Sequence, residues 1–232
     1  MLLGLGLFCA AALAASCGGP GETSSRKTDG APRSPSSTTP PPQSLPKIVA
    51  FGDSLTAGYG LAPAESYPSL LQKKLDADGF KYEVVNAGVS GDTSAAGLRR
   101  IDWSLDAGDV RFLILELGAN DFLRGQPVAE TRKNLSEIIK RAKGRGAVVL
   151  LAGMYTPTNA GEEYQREIHE AFRTLASEHE VALIPFFLEG VAGDASLNLD
   201  DRVHPNAEGT KIVADNVYRY LKPLLEKEGL KS

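Results

Sequence analysis

Beyond residue 17 the chain contains no cysteine, because its two cysteines are Cys9 and Cys17. A disulfide framework, a cysteine metal site and a thiol nucleophile are therefore excluded for everything downstream. An excess of basic charge is also lacking. The formal net charge is −4, and the first 46 residues carry a net +1, which leaves the remainder at about −5. Phosphate backbones demand basic patches, so nucleic acid is disfavoured as a partner. No apolar run reaches the ~20 residues that a membrane-spanning helix needs. There is no internal repeat. A Gly-x-Ser-x-Gly elbow is missing too, which disfavours the ordinary α/β-hydrolase route.

What is present divides unevenly. Residues 1–15 are almost wholly apolar and carry no charged side chain; the run suits the hydrophobic region of a secretory signal. Ala14-Ala15-Ser16-Cys17 follows and resembles the lipobox of bacterial lipoproteins, which implies lipidation at Cys17. Residues 18–46 are rich in Pro, Ser and Thr, and seven of the fourteen prolines lie in the first 46 residues. Such a segment has too little to bury to offset its ordering entropy, so a disordered tether is expected. Residues 47–232 form one domain of ordinary size.

Five strand-like runs cross that domain: Lys47–Phe51, Tyr82–Asn86, Arg111–Leu117, Ala147–Gly153 and Val181–Pro185. They are continuously apolar more than alternating, as expected where helices cover both sheet faces. Helical spacing fills the intervals: Tyr67 to Leu75, Leu98 to Leu105, Leu135 to Ala142, Tyr164 to Leu175, and Ile212 to Leu221, the last broken before Pro223. The alternation predicts a three-layer α/β/α domain with a parallel sheet of flavodoxin-like order 2-1-3-4-5.

With the strands placed, the polar residues gather at one sheet edge. Gly52-Asp53-Ser54 follows the first strand, Asn86 to Thr93 the second, and Gly118-Ala119-Asn120-Asp121 the third. Asp201-Arg202-Val203-His204 lies beyond the fifth. A serine hydroxyl is a poor nucleophile until a base takes its proton, and His204 is the candidate base. Asp201 reaches that imidazole if the intervening segment makes a helical turn. The Ser54 and Gly91 N–H groups, with the Asn120 amide, supply donors for an oxyanion; glycine at 91 lets its backbone approach without a Cβ in the way. Taken singly, Asp53 or Ser54 reads equally well as a helix cap, Asn120 and Gly91 as turn residues, and His204 as a loop histidine. His169 and His179 fall on or just after the fourth helix, among glutamates, and read as a solvated face.

The blocks GDSLTAGYG, NAGVSGDTSAAGLRR, ELGANDFLRG and DRVHPN resemble those of the SGNH (GDSL-type) hydrolases. The chain looks most like their bacterial multifunctional thioesterase/arylesterase/lysophospholipase branch. The resemblance implies Ser54 as nucleophile, His204 as general base and acid, Asp201 as its orienting acid, and Ser54, Gly91 and Asn120 as the oxyanion hole. It also implies an acyl groove beside the serine, for which Met154, Tyr155, Pro157 and Phe122 are candidate walls, with Leu123 and Phe186-Phe187 nearby.

The expectation is a monomeric, exported serine esterase that cleaves carboxylic ester or thioester bonds of small acyl substrates. It meets the membrane only through its N-terminal lipid, and neither a metal nor an organic cofactor is called for. The rival within the enzyme class is a carbohydrate acetylesterase on the same apparatus. From another class, a flavodoxin-like or receiver module lacks the phosphate loop or the lysine such modules require, and a degenerate lipid-binding lipoprotein is at odds with an intact Ser/Asp/His set.

Overall fold

The computed structural model describes residues 44–155 and 161–229. The leader 1–17 with Cys17, nearly all of the 18–46 tether, and Pro157 lie outside them. Five parallel strands are ordered β2-β1-β3-β4-β5, the order expected from the sequence. They are β1 (Lys47–Gly52), β2 (Glu83–Gly88), β3 (Val110–Glu116), β4 (Val148–Ala152) and β5 (Ala182–Ile184). Strand β1 pairs on both sides, Phe51 standing opposite Ala87 of β2 and Leu115 of β3. Its residues Ile48 to Phe51 are fully buried, which is why this run reads as continuous apolar sequence. Edge strand β2 is only half-buried, with Glu83 and Asn86 exposed.

Seven α-helices accompany the sheet among the described residues. They are α1 (Ser54–Ala57), α2 (Tyr67–Ala77), α3 (Ser94–Leu105), α4 (Ala119–Leu123), α5 (Val128–Gly144), α6 (Glu162–His179) and α7 (Ala207–Glu228). Helix α2 packs on α7, whereas α3 packs on α5 and α5 on α6. This is the two-faced covering that right-handed crossovers impose on a sheet of this order. None of these helices is long and apolar enough to cross a membrane.

Three helical details depart from the sequence reading. Helix α7 does not stop before Pro223 but runs through it to Glu228. An internal proline costs about 3 kcal/mol, yet Leu221 and Leu225, one turn apart and on either side of it, are both fully buried. Packing on the core offsets the cost. Helix α3 begins at Ser94, earlier than its apolar spacing indicates, because the Thr93 side chain caps it by accepting from the Ala96 N–H. The short helices α1 and α4 carry too few apolar residues to show a period. Both sit directly after a strand, at its carboxyl end, and both present residues to the site.

Candidate active site

Strand β1 ends at Gly52, where a Cβ would collide with Thr56 Oγ1 and Glu116 Oε2. The chain therefore turns tightly into α1. Asp53, 1% exposed, caps that helix, its Oδ1 accepting the Leu55 N–H at 3.0 Å. Because Asp53 takes the capping duty, the Ser54 hydroxyl remains free for another partner. That partner is His204, whose Nε2 lies 2.8 Å from Ser54 Oγ across 150 residues of sequence. His204 Nδ1 lies 2.7 Å from Asp201 Oδ2. With its proton on Nδ1, the imidazole donates to Asp201 and leaves Nε2 to accept from the serine hydroxyl. The Tyr59 ring lies against the imidazole, with centroids 4.6 Å apart.

Asp201 does reach His204, but not through the helical turn expected from their spacing. Its Oδ1 accepts the backbone N–H groups of Val203 at 2.9 Å and His204 at 3.0 Å. Arg202 between them takes a left-handed conformation with φ +58°. An aspartate that closes a turn on its own following N–H groups needs no helix. Those two bonds, from His204 first and Val203 second, hold the Asp201 carboxyl at about 2. Asp201 thus stays an anion at any pH near neutrality, able to orient the imidazole and balance its positive charge.

The three oxyanion-hole candidates also converge on this edge. Gly91 sits third in the turn closed by the Asp92 N–H on the Val89 carbonyl, and its φ is +85°. A Cβ there would meet nothing within 4 Å. The turn's positive φ requires glycine at this position. Asn120 stands in the first turn of α4, and its Nδ2 donates to Asp53 Oδ2 at 2.9 Å and to the Asp92 carbonyl at 3.1 Å. Its amide bridges Asp53, the neighbour of Ser54, and the segment carrying Gly91, with both hydrogens engaged.

A family model described as "GDSL-like Lipase/Acylhydrolase family" matches residues 50–212, which span every residue of this arrangement. The chain belongs to that family. Esterase TesA of Pseudomonas aeruginosa is 39% identical over 178 residues, covering 77% of this chain and 89% of its own length. The Escherichia coli (strain K12) protein named thioesterase 1/protease 1/lysophospholipase L1 is 36% identical over 181 residues, covering 78% and 86%. A crystal structure of TesA superposes with a TM-score of 0.75, covering 77% of this chain and 99% of that one.

In this GDSL-like acylhydrolase the space beside Ser54 is bounded by its chain neighbour Leu55 and by Val203, the neighbour of His204. A cavity of about 480 Å³ opens there. Phe122, Leu123, Met154, Tyr155 and Phe186 also line it. The candidate walls Met154, Tyr155 and Phe122 thus come together. Phe187 does not join them; it is fully buried and packs edge-on against Tyr67. The His169 ring packs edge-on against Tyr155, and its Nε2 lies 3.2 Å from the Tyr155 hydroxyl. His179 Nε2 lies 2.8 Å from Ser136 Oγ.

For this GDSL-like site the sequence reading offered Asp53 only as a helix cap and singled out neither Glu116 nor Arg100. Asp53 holds Asn120, as described. Glu116, fully buried, accepts the Thr56 hydroxyl at 2.7 Å and the Asp53 N–H at 3.3 Å through Oε2. Burial, and then the charge of Asp53, pushes its carboxyl well above the ordinary range, and Oε1 has no hydrogen-bond partner. Burial likewise pushes Asp53 up to about 6, against the hydrogen bonds from Leu55 and Asn120. Arg100 is the third, tied at once to the ends of β1 and β2 and to the loop carrying Asp92. The available signals were an acid ending an apolar strand and a cation on the inner side of an amphipathic helix.

Proposed function

We propose that the protein is a serine esterase acting on carboxylic esters or thioesters with an acyl chain, through an acyl-enzyme intermediate. One observation carries the reading: Ser54 Oγ, His204 and Asp201 form an unbroken hydrogen-bonded line, and their chain neighbours Leu55 and Val203 line an apolar cavity. In this reading Ser54 Oγ attacks the carbonyl carbon while His204 Nε2 takes its proton. The carbonyl oxygen becomes an anion facing the N–H groups of Ser54 and Gly91 and the Asn120 amide. The tetrahedral adduct collapses, the carbon–oxygen or carbon–sulfur bond breaks, and His204 returns the proton to the leaving alcohol or thiol. Water then attacks the acyl-serine with the same base, releasing the carboxylic acid and restoring the hydroxyl.

The cavity supports an acyl chain as the specificity element, because it is walled by Phe, Leu, Met and Tyr side chains. The names of the relatives, esterase and thioesterase/lysophospholipase, agree with that substrate class. Residues 1–17 act in this reading as an export signal with Cys17 lipidated, and residues 18–46 as the tether; the sequence pattern supports this. The deciding experiment for the chemistry is Ser54→Ala. The variant keeps the wild-type fold by circular dichroism and loses hydrolysis of p-nitrophenyl acyl esters; normal turnover by a folded variant ends the proposal. For the anchor, Cys17→Ser abolishes acyl labelling and moves the protein from the membrane to the soluble fraction.

A further inference from the structure

We propose that Asp53 is a positioning residue for the oxyanion hole: its carboxylate fixes the orientation of the Asn120 amide, so that one N–H stays locked and the other is presented to the developing oxyanion. The inference rests on the serine esterase reading. Its basis is the arrangement behind the serine. Asp53 Oδ2 accepts from Asn120 Nδ2 at 2.9 Å, and Asp53 Oδ1 accepts from the Leu55 N–H at 3.0 Å. Both oxygens therefore act as acceptors, one toward the helix that begins at Ser54 and one toward the amide. A carboxylate meets both demands. A side-chain amide does not, since whichever way it turns one of its ends places N–H against N–H.

The surroundings hold the carboxylate in this place. Asp53 is 1% exposed, so no water competes for Oδ2. Behind it the Glu116 carboxyl accepts the Asp53 N–H, and Thr56 donates to the same Glu116 oxygen. On the open side, the second Asn120 hydrogen goes to the Asp92 carbonyl at 3.1 Å, the longer of the two bonds. That carbonyl belongs to the residue after Gly91, itself exposed. An anion forming between Ser54 and Gly91 is a stronger acceptor than a peptide carbonyl and takes this hydrogen over. The bond to Asp53 keeps the amide plane fixed while the exchange occurs. Preorganised donors of this kind accelerate a reaction because they need not reorient as charge develops.

The test is a double-mutant cycle on p-nitrophenyl acyl esters, with Ser54→Ala as the reference for the chemistry itself. Asn120→Ala lowers kcat by about a hundredfold or more, the usual loss of one oxyanion donor. Asp53→Asn lowers kcat by a comparable factor while KM stays within a few-fold. The pair Asp53→Asn/Asn120→Ala is no slower than Asn120→Ala alone, because the two act as one unit. Asp53→Ser supplies a second route, since serine caps α1 but brings no second acceptor to Asn120; it shows the same kcat loss and the same absence of additivity. Inhibition by a phenylboronic acid, whose tetrahedral adduct on Ser54 places an oxygen in the hole, weakens in parallel. Losses that multiply in the double variants, a loss carried by KM, or wild-type kcat in Asp53→Asn each overturn the proposal. Turnover by Ser54→Ala overturns the underlying reading instead, so the two failures are told apart.

Discussion

The Arg100 guanidinium donates through Nη2 to the carbonyl of Gly52 at 2.8 Å, two residues before Ser54 and 48 residues away in sequence. Its other nitrogens reach the end of β2 and the loop after it. Nη1 donates to the Ala87 carbonyl at 2.8 Å and Nε to Asp92 Oδ2 at 2.6 Å, while the guanidinium lies 4.0 Å from the centre of the Phe51 ring. One side chain thus ties the end of β1, the end of β2 and the loop whose Asp92 carbonyl holds Asn120. A planar fork with several donors does this; an ammonium does not.

Arg100→Lys is therefore not conservative. Lysine retains the charge but loses the simultaneous contacts, and the Gly52 and Ala87 carbonyls are left to share one mobile donor. The expected cost is about 2–3 kcal/mol in urea unfolding, the scale for hydrogen bonds to a charged group. Turnover falls at least tenfold, because Ser54 and the Asn120 partners lose their common brace and small misplacements of reacting groups are expensive. A variant with wild-type stability and kcat would show that the three bonds are dispensable.

Asp121 braces the other half of the site. Fully buried, it accepts the Ser94 N–H at 2.7 Å and the Ser94 hydroxyl at 2.6 Å, and the Thr131 hydroxyl at 3.1 Å. Those bonds fix α4, and with it Asn120, against the starts of α3 and α5. Asp121→Ala strands three donors in the interior and is expected to destabilise the protein by about 3 kcal/mol. Asp121→Asn, which keeps an acceptor, loses less. Chemical denaturation of the two variants at one pH checks both the size and the order.

How much of this was legible beforehand follows from what each residue needs. The strands, their order and the convergence of Ser54, Asn120 and His204 on one edge follow from apolar runs and the turns after them, because both are local in sequence. Asp53, Glu116 and Arg100 are different. Each has its function defined by partners 8 to 67 residues away, and no local pattern separates a buried charge from a solvated one. The Asp201 turn was misjudged because i and i+3 spacing allows both a helical turn and a side-chain-closed turn; the positive φ at Arg202 is not encoded in residue type. Pro223 misled for the same reason as Arg100, since the burial of Leu221 and Leu225 that outweighs it is tertiary.

The buried acid pair gives the stability a pH signature. Glu116 is pushed well above its ordinary value, so the folded protein holds this proton more tightly than the unfolded chain does. Its contribution is fully present below the unfolded value of ~4.3 and declines as pH rises toward the folded value. Asp53 behaves alike over the window from its ordinary 3.8 to about 6. Glu116→Gln keeps an oxygen to accept from Thr56 but carries no proton to lose. Relative to wild type it should gain stability with rising pH, by up to about 1.4 kcal/mol per unit above pH 5, on top of a constant offset for its unpaired N–H groups. Urea unfolding of both proteins at pH 5, 6 and 7 measures the slope. A flat difference would mean that Glu116 is ionised in the folded state.

The cavity makes a quantitative demand on substrate preference. Each methylene buried from water contributes about 0.8 kcal/mol, which is roughly fourfold in kcat/KM if the chain enters the cavity in the transition state. Across an acetyl to octanoyl series kcat/KM should therefore climb by about two- to fourfold per methylene, then level once the space between Met154, Phe122 and Phe186 is filled. Ala192 lines the same cavity and is exposed, so Ala192→Phe fills space without overpacking the core. In that variant the climb should stop at a shorter chain, with acetyl ester hydrolysis near wild type because the serine line is untouched. A profile that is flat or falls with chain length in the wild type would assign the site to acetyl esters and leave the cavity without a role in the reaction. A profile that climbs equally in both proteins would place the chain elsewhere on the surface.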